Sequence, residues 1–325
     1  MLNFVPIYIL AFIISFGIAI PVCRGIIPPL RKRAAQPIYA GGPTWHSSKS
    51  GTPTLGGLAF IISVLCGALL CSAVLLFLEL DETCLSVISV ICFALLNSLV
   101  GIVDDLTKLL RKQNAGLNPL QKLFFQTIIA VLFLFVRHKL LGYSTEIPFF
   151  DHTLDLGFLY YPITVFIMLG IVNCANLTDG VDGLASGVFA AMSTCIFLIS
   201  AYSFPDAAII SALGAGGVLA FLIFNVNPAK IFMGDTGSLF LGGIAAAVVF
   251  CFSNPLLSIL FGGVYVIEGI SVVLQVVSYK SRKKRLFLMS PIHHHLEKIG
   301  WNESKICLVA VMVTLSLSIM AFLLI

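Results

Sequence analysis

Five aspartates stand where apolar segments of this chain give way to polar ones. Asp104 and Asp105 close one apolar run, Asp179 and Asp182 follow another, and Asp235 follows a third. Three histidines, His293, His294 and His295, occupy a further polar stretch. Acids beside hydrocarbon are costly to keep and mark function. Gathered at one place, five carboxylates repel one another, and the usual remedy is a hard cation held by oxygen ligands. The chemistry such a set suits is the handling of a phosphate or diphosphate with magnesium, which takes one or two protein carboxylates and completes its shell with phosphate oxygens.

The stretches around these residues refine that reading. In Val-Asp104-Asp105-Leu-Thr-Lys108, helical spacing puts Asp104, Lys108 and Lys112 on one face, four apart. Lys122 opens the next apolar run, where it either snorkels or holds a phosphate. Asn173 to Gly183 carries Asn173, Asn176, Asp179 and Asp182 with two glycines. The asparagines offer neutral donors and acceptors for a uracil or a sugar, and the glycines let backbone approach a ligand. Asn225 to Ser238 carries Asn225, Phe232, Gly234 and Asp235. Asp235 is the first choice for a metal ligand, with capping of the next helix as the alternative, and free N–H groups at a helix start favour phosphate. Phe232 either stacks on a base or packs in its own loop. Successive histidines on a helix point about 100° apart, so the triple cannot close on one ion; it suits a diphosphate better than zinc.

Composition says what must position these groups. Hydrophobic residues make up 59% of the 325 and charged residues 10%, with a mean hydropathy of +1.05. Soluble domains carry about 25% charged residues, so lipid is the solvent here. A spanning helix needs about 20 apolar residues. Runs of that kind lie near 3–24, 54–78, 84–103, 121–138, 157–174, 183–202, 207–224, 237–253, 255–279 and 304–325, which predicts about ten membrane helices in a single all-α domain, 1–325. The first run lacks a charged start and a small-residue cleavage site, and is read as a span rather than a signal peptide. Only Glu268 is expected inside a span, and a small hairpin is expected at 140–156.

Lysine and arginine set the orientation, because cytoplasmic loops retain them. With the N-terminus outside, the inner loops hold 17 of the 19 basic residues, and the outer side keeps Arg137 and Lys139. Both termini are therefore expected on the non-cytoplasmic side, with the aspartates and histidines on the cytoplasmic face. The cysteines lie mostly in apolar runs and read as small hydrophobes. The basic run Lys280 to Arg285 reads as an anchor at an anionic membrane surface.

Five motifs occur in order: Gly51-Thr-Pro-Thr-Leu-Gly-Gly57, Asp104-Asp105, Asn176-Leu-Thr-Asp-Gly-Val-Asp-Gly183, Pro228-Ala-Lys-Ile-Phe-Met-Gly-Asp-Thr-Gly-Ser238 and Pro291-Ile-His-His-His295. Together they resemble the bacterial phospho-N-acetylmuramoyl-pentapeptide-transferases, within the polyprenyl-phosphate N-acetylhexosamine-1-phosphate transferase superfamily, over nearly the whole chain. The resemblance implies a ten-span enzyme of the bacterial plasma membrane, often dimeric. It implies transfer of a phospho-sugar from UDP-N-acetylmuramoyl-pentapeptide to undecaprenyl phosphate, giving lipid I and UMP with Mg2+, the first membrane step of peptidoglycan synthesis. In that frame Asp104, Asp105, Asp235 and His294 form the catalytic set, with Asp235 on the metal. Lys49, Lys112 and Lys122 touch phosphates; Asn173, Asn176, Asp179, Asp182, Asn225, Phe232, Gly234, His293 and His295 line the substrate site. Membrane lipids surround it, and nothing expects a nucleic-acid partner. Two rivals stand beside this reading: a sister transferase using UDP-N-acetylglucosamine, and a transporter.

Overall fold

The structure, a computed structural model, describes residues 4–33, 49, 51–111, 116–149 and 152–325. Each expected apolar run contains helix. These are α1 (Val5–Arg33), α2 (Gly57–Phe77), α3 (Asp81–Arg111), α4 (Pro119–Lys139), α5 (Tyr160–Thr178), α6 (Leu184–Ser200), α7 (Pro205–Asn225), α8 (Gly234–Ala247), α9 (Leu257–Phe261), α10 (Gly263–Arg282), α11 (Ile292–Lys298) and α12 (Glu303–Phe322). Among the described residues nine helices are long and apolar enough to cross a membrane, with α6 shorter at 17 residues. The fold is that of an all-α membrane protein. The hairpin expected at 140–156 is present as β1 (Glu146–Phe149) antiparallel to β2 (His152–Asp155).

Local chemistry explains the element ends that frame the site. The first turn of α3 holds Asp81 and Glu82 and its last turn Lys108 and Arg111, charges that complement the helix dipole at both ends. That pairing extends α3 eight residues beyond the apolar run that announced it. Asn118 caps α4: its Oδ1 accepts from the Leu120 amide at 3.0 Å, Gln121 Oε1 accepts the Asn118 amide at 3.1 Å, and Pro119 opens the helix. Two expected spans differ in detail. The 237–253 run is α8 followed by a 3-10 turn, Val248–Phe252. The 255–279 run is broken at Gly262 into α9 and α10.

Helices α7 and α8 are the buried centre. α8 packs on α3, α5 and α2, and α7 on α1, α6 and α2. Between helices in lipid, association rests on close packing through small residues rather than on hydrophobicity. Gly101 of α3 is the clearest case: a Cβ there would collide with the Asp235 carbonyl of α8. That crossing carries Asp104 and Asp105 over the start of α8.

At the hairpin end of the bundle, one basic side chain is enclosed. Arg137, read from sequence as an outer basic residue, is fully buried in α4. Its Nη1 donates to Ser86 Oγ at 2.8 Å, Ser86 donates to Asp206 at 2.5 Å, and the guanidinium lies 3.9 Å from the Tyr143 ring centre. Asp206, at the start of α7, is buried too, so Glu268 is not the only acid held within the helical bundle. A cavity of about 410 Å³, lined by Glu82, Ser86, Tyr143 and Asp206 among others, opens beside this group.

Candidate active site

The opposite end of the bundle gathers the chemistry, and it starts from Asp105. This side chain is 1% exposed and caps α8. Its Oδ2 accepts from the Thr236 amide at 2.9 Å and from Thr236 Oγ1 at 2.7 Å, and its Oδ1 accepts from the Asp235 amide at 3.3 Å. The sequence reading gave Asp235 the option of capping this helix and left its N–H groups open for phosphate. The structure corrects both points: Asp235 makes no cap bond, and the amides of Asp235 and Thr236 are taken by the neighbouring helix. The Asp235 carboxylate is thereby released to face the cluster. Gly234 makes the turn that allows this, with φ +73°, and a Cβ there would lie 2.6 Å from Asp105 Oδ2.

Asp104, buried beside it, accepts the Leu117 amide at 2.6 Å through Oδ1. Lys108 Nζ sits 2.6 Å from Asp104 Oδ2 and 3.0 Å from Asp235 Oδ2. Lys122 Nζ sits 3.1 Å from Asp104 Oδ1 and 2.7 Å from the same Asp235 oxygen. Asn176, in the last turn of α5, donates to Asp235 Oδ1 at 3.0 Å and to Ser238 Oγ at 2.8 Å. Asp104, Asp105 and Lys108 of α3, Lys122 of α4 and Asn176 of α5 thus surround Asp235 at the start of α8. Lys108, noted for its spacing but not assigned a role, belongs with them. Lys112 lies outside the described residues.

The donor set meets the requirement of a hard divalent cation. Among the described residues, Asp104, Asp105 and Asp235 bring one carboxylate oxygen each within 4.8 Å of one another. All three are oxygen donors, which suit magnesium or calcium and not a thiophilic metal. Two lysines against three carboxylates leave the cluster one negative charge in excess, so a cation is favoured there.

The Asn176–Gly183 segment lies along the cluster. Asp179 ends α5. Burial first, then the charges of Asp235, Asp105 and Asp182, push its carboxyl up to about 8, against the pull of Lys49. Asp182 points into the wall: Oδ1 accepts from Lys49 Nζ at 2.7 Å, and Oδ2 from Asn227 Nδ2 at 3.2 Å and the Ala229 amide at 2.9 Å. Asn225 is likewise committed, accepting from Ser186 Oγ at 2.7 Å and donating to the Ile231 carbonyl at 3.0 Å. Asn173 donates to Gln126 Oε1 and the Leu169 carbonyl, both at 2.8 Å. Phe232 is half-buried, and its backbone pairs with Pro53 and Gly56 at 2.8 Å each, so the Gly51–Gly57 motif braces the loop that leads into Asp235.

The three histidines diverge, as their spacing dictates. His293 is fully buried against Gly180, its Nδ1 3.1 Å from Glu268 Oε2, and the same oxygen accepts its amide at 3.3 Å. His294 Nδ1 is 2.7 Å from Glu297 Oε2. His295 Nδ1 accepts from the Leu288 amide at 3.2 Å. Lys49, in turn, reaches Glu303 Oε2 at 2.7 Å, a partner that sequence reasoning did not single out. An acid in the first turn of a helix carries no signal beyond the dipole it complements.

Residues 87–253 match the family model described as glycosyl transferase family 4. The chain is similar to a phospho-N-acetylmuramoyl-pentapeptide-transferase of Halalkalibacterium halodurans, 42% identical over 302 residues that cover 92% of this chain and 91% of that one. It is similar to proteins of the same name from Clostridium perfringens strain SM101 (41% over 320 residues, 98% and 96% covered) and Caldicellulosiruptor bescii (40% over 303 residues, 93% and 92% covered).

Proposed function

This chain belongs to glycosyl transferase family 4, and from that premise we propose that it moves phospho-N-acetylmuramoyl-pentapeptide from its UDP-linked donor to undecaprenyl phosphate, giving lipid I and UMP. The observation that carries the proposal is the convergence of Lys108, Lys122 and Asn176 on Asp235, between Asp104 and Asp105. A lipid-phosphate oxygen attacks the sugar-bearing phosphorus of the donor; the bond from that phosphorus to the bridging oxygen breaks, and UMP leaves with the electron pair. Phosphoryl transfer of this kind depends on positioning and on neutralising charge.

In this reading Asp235, with Asp104 and Asp105, holds Mg2+, which supplies charge neutralisation at the diphosphate. Lys122, Lys108, Lys49 and Lys112 bind phosphate oxygens. Asp104 and Asp105 lie nearest the lipid phosphate. Asn176 and Asp179 face the nucleotide and sugar. Asn173, Asp182, Asn225, Phe232 and Gly234 shape the pocket from behind, and His293, His294 and His295 stand along the diphosphate, with His294 in the catalytic set. The basic-residue asymmetry supports a site on the cytoplasmic face of a bacterial plasma membrane, in a single domain over 1–325 read as ten crossings with both termini on the far side.

The test is UMP release in detergent from UDP-N-acetylmuramoyl-pentapeptide and undecaprenyl phosphate, with and without Mg2+, for the wild type and Asp235→Ala. Magnesium-dependent release that the substitution abolishes is the expected result. A folded wild type that releases UMP only from UDP-N-acetylglucosamine would transfer the reading to the sister enzymes. UMP exchange into donor without acceptor would show a two-step route through an aspartyl intermediate instead of direct attack.

A further inference from the structure

Glu303 opens α12, directly after the Asn302 cap. Its side chain leaves that helix for two partners distant in sequence. Glu303 Oε2 accepts from Lys49 Nζ at 2.7 Å and from the Asp182 amide at 2.9 Å. Lys49 Nζ also donates to Asp182 Oδ1 at 2.7 Å, so a single carboxylate oxygen holds both the ammonium and the backbone of the residue the ammonium grips. The three side chains are 14%, 3% and 16% exposed for Lys49, Asp182 and Glu303. At that burial a charge-assisted hydrogen bond keeps most of its strength.

The position of this triad gives it reach. Asp182 ends the segment that begins at Asn176 and passes Asp179, and its other oxygen holds Asn227 and the Ala229 amide in the loop leading to Asp235. Cys307, one turn into α12, donates its thiol to the Asp182 carbonyl at 3.2 Å. Both loops that flank the aspartate cluster are therefore fastened at one point, and α12 is the post. Lys49 is close enough to the cluster to oppose the rise in the Asp179 carboxyl. Burial works against the lysine's own charge, but the Asp182 and Glu303 carboxylates outweigh it and hold its pKa above the ordinary value. An ammonium has three N–H groups. Two are spent on the two carboxylates, and among the described residues nothing takes the third.

We propose that Glu303 is a positioning residue for the nucleoside-diphosphate end of the donor: it fixes Lys49 and the Asp182 backbone so that the remaining ammonium N–H is presented to an anionic group of the nucleotide. This rests on the donor reading above. Alone with Asp182, Lys49 would form a neutral pair held by one contact and free to swing. Glu303 anchors the ammonium a second time, which leaves the triad one negative charge in excess, and it does so without touching substrate; tighter UMP binding in Glu303→Ala would show that this charge outweighs the positioning and would overturn the proposal.

The experiment uses the full-length chain in detergent and the variants Glu303→Gln, Glu303→Ala, Lys49→Met and the double variant Lys49→Met with Glu303→Ala. UMP affinity is measured by calorimetry, and donor KM, lipid KM and kcat by UMP release. Loss of one charged hydrogen bond acting on binding is expected to weaken UMP affinity and raise donor KM about tenfold in Glu303→Ala, less in Glu303→Gln, with kcat and lipid KM within about twofold. The double variant is expected to lose less than the product of the two single losses, because Glu303 acts in part through Lys49. Losses that multiply in the double variant, or a fall in kcat at unchanged donor KM, would overturn the proposal and leave Glu303 as a tie between helices. The isosteric Glu303→Gln decides the matter if Glu303→Ala does not fold: unchanged UMP affinity overturns it. A wild type that binds no UMP removes the donor reading and this inference with it, whereas a wild type that binds UMP as tightly as Glu303→Gln removes the inference alone.

Discussion

Replacing Asp105 by alanine separates a helix cap from a metal site, because its carboxylate is already committed to backbone. Three donors lose their acceptor: the Thr236 amide, the Thr236 hydroxyl and, at 3.3 Å, the Asp235 amide. Hydrogen bonds to a charged acceptor contribute about 1.5–3 kcal/mol each, so the two short ones set a gross loss of roughly 3–6 kcal/mol. Against it stands the relief of removing a buried charge from beside Asp104 and Asp235, which offsets a substantial part. A net loss of about 2 kcal/mol remains, the upper end of what helix N-caps deliver. Asp104→Ala removes contacts to Lys108, Lys122 and one loop amide at Leu117, leaving the start of α8 capped. The expected order of thermal midpoints in detergent, without metal or nucleotide, is therefore wild type, then Asp104→Ala, then Asp105→Ala. Asp105→Asn should fall between the last two, since its amide keeps one acceptor and turns a donor on donors. Activity is expected to vanish in both alanine variants. An Asp105→Ala protein with the wild-type midpoint would refute the capping argument and return Asp105 to a purely chemical role.

Two further outcomes follow from buried charge. Arg137→Met removes the guanidinium that donates to Ser86, which in turn donates to Asp206, a charged hydrogen bond that contributes about 1.5–3 kcal/mol; the thermal midpoint should drop while donor KM stays at the wild-type value, and a changed KM at an unchanged midpoint would show that this end of the bundle serves the site. The Asp179 carboxyl, at about 8 in the folded chain against 3.8 ordinarily, holds in the folded state a proton that the unfolded state has shed between about pH 4 and pH 8. Stability from this group therefore falls as pH rises through that window, and without metal or nucleotide the midpoint of Asp179→Asn should decline less between pH 5 and pH 8 than that of the wild type; parallel declines would refute the assigned environment.

The helices were legible because lipid leaves few choices: an apolar run of about 20 residues has to satisfy its own backbone. The same signal is blind where apolarity continues across a change of direction. Gly262 and Gly263 carry no polar side chain to interrupt the apolar run, so 255–279 reads as one span although the chain turns at Gly262. It is equally blind in reverse at the end of α3, where Asp104 and Lys108 stop the apolar count but continue the helix. Arg137 lies within the expected 121–138 run, but its partners were not legible: Ser86, 51 residues away, and Tyr143 provide the polar and aromatic contact that keeps the guanidinium inside.

At the site, residue type was readable and partnership was not. A carboxylate announces that it needs donors or a cation, and five of them announce a cluster; neither says which carboxylate takes which donor. That choice is made by the crossing of α3 over α8, where Gly101 lies against the Asp235 carbonyl. The contact brings the next helical turn, with Asp105, over the two open amides of α8, and leaves Asp104 facing Lys108 and Lys122. Two adjacent aspartates, indistinguishable as letters, are thereby sorted into a cap and a charge partner by about 100° of helix rotation. Glu303 is the same lesson at longer range. As a first-turn acid it is fully explained by its own helix, and only the arrival of Lys49 and the Asp182 amide at one of its oxygens reveals that the helix start has a second use.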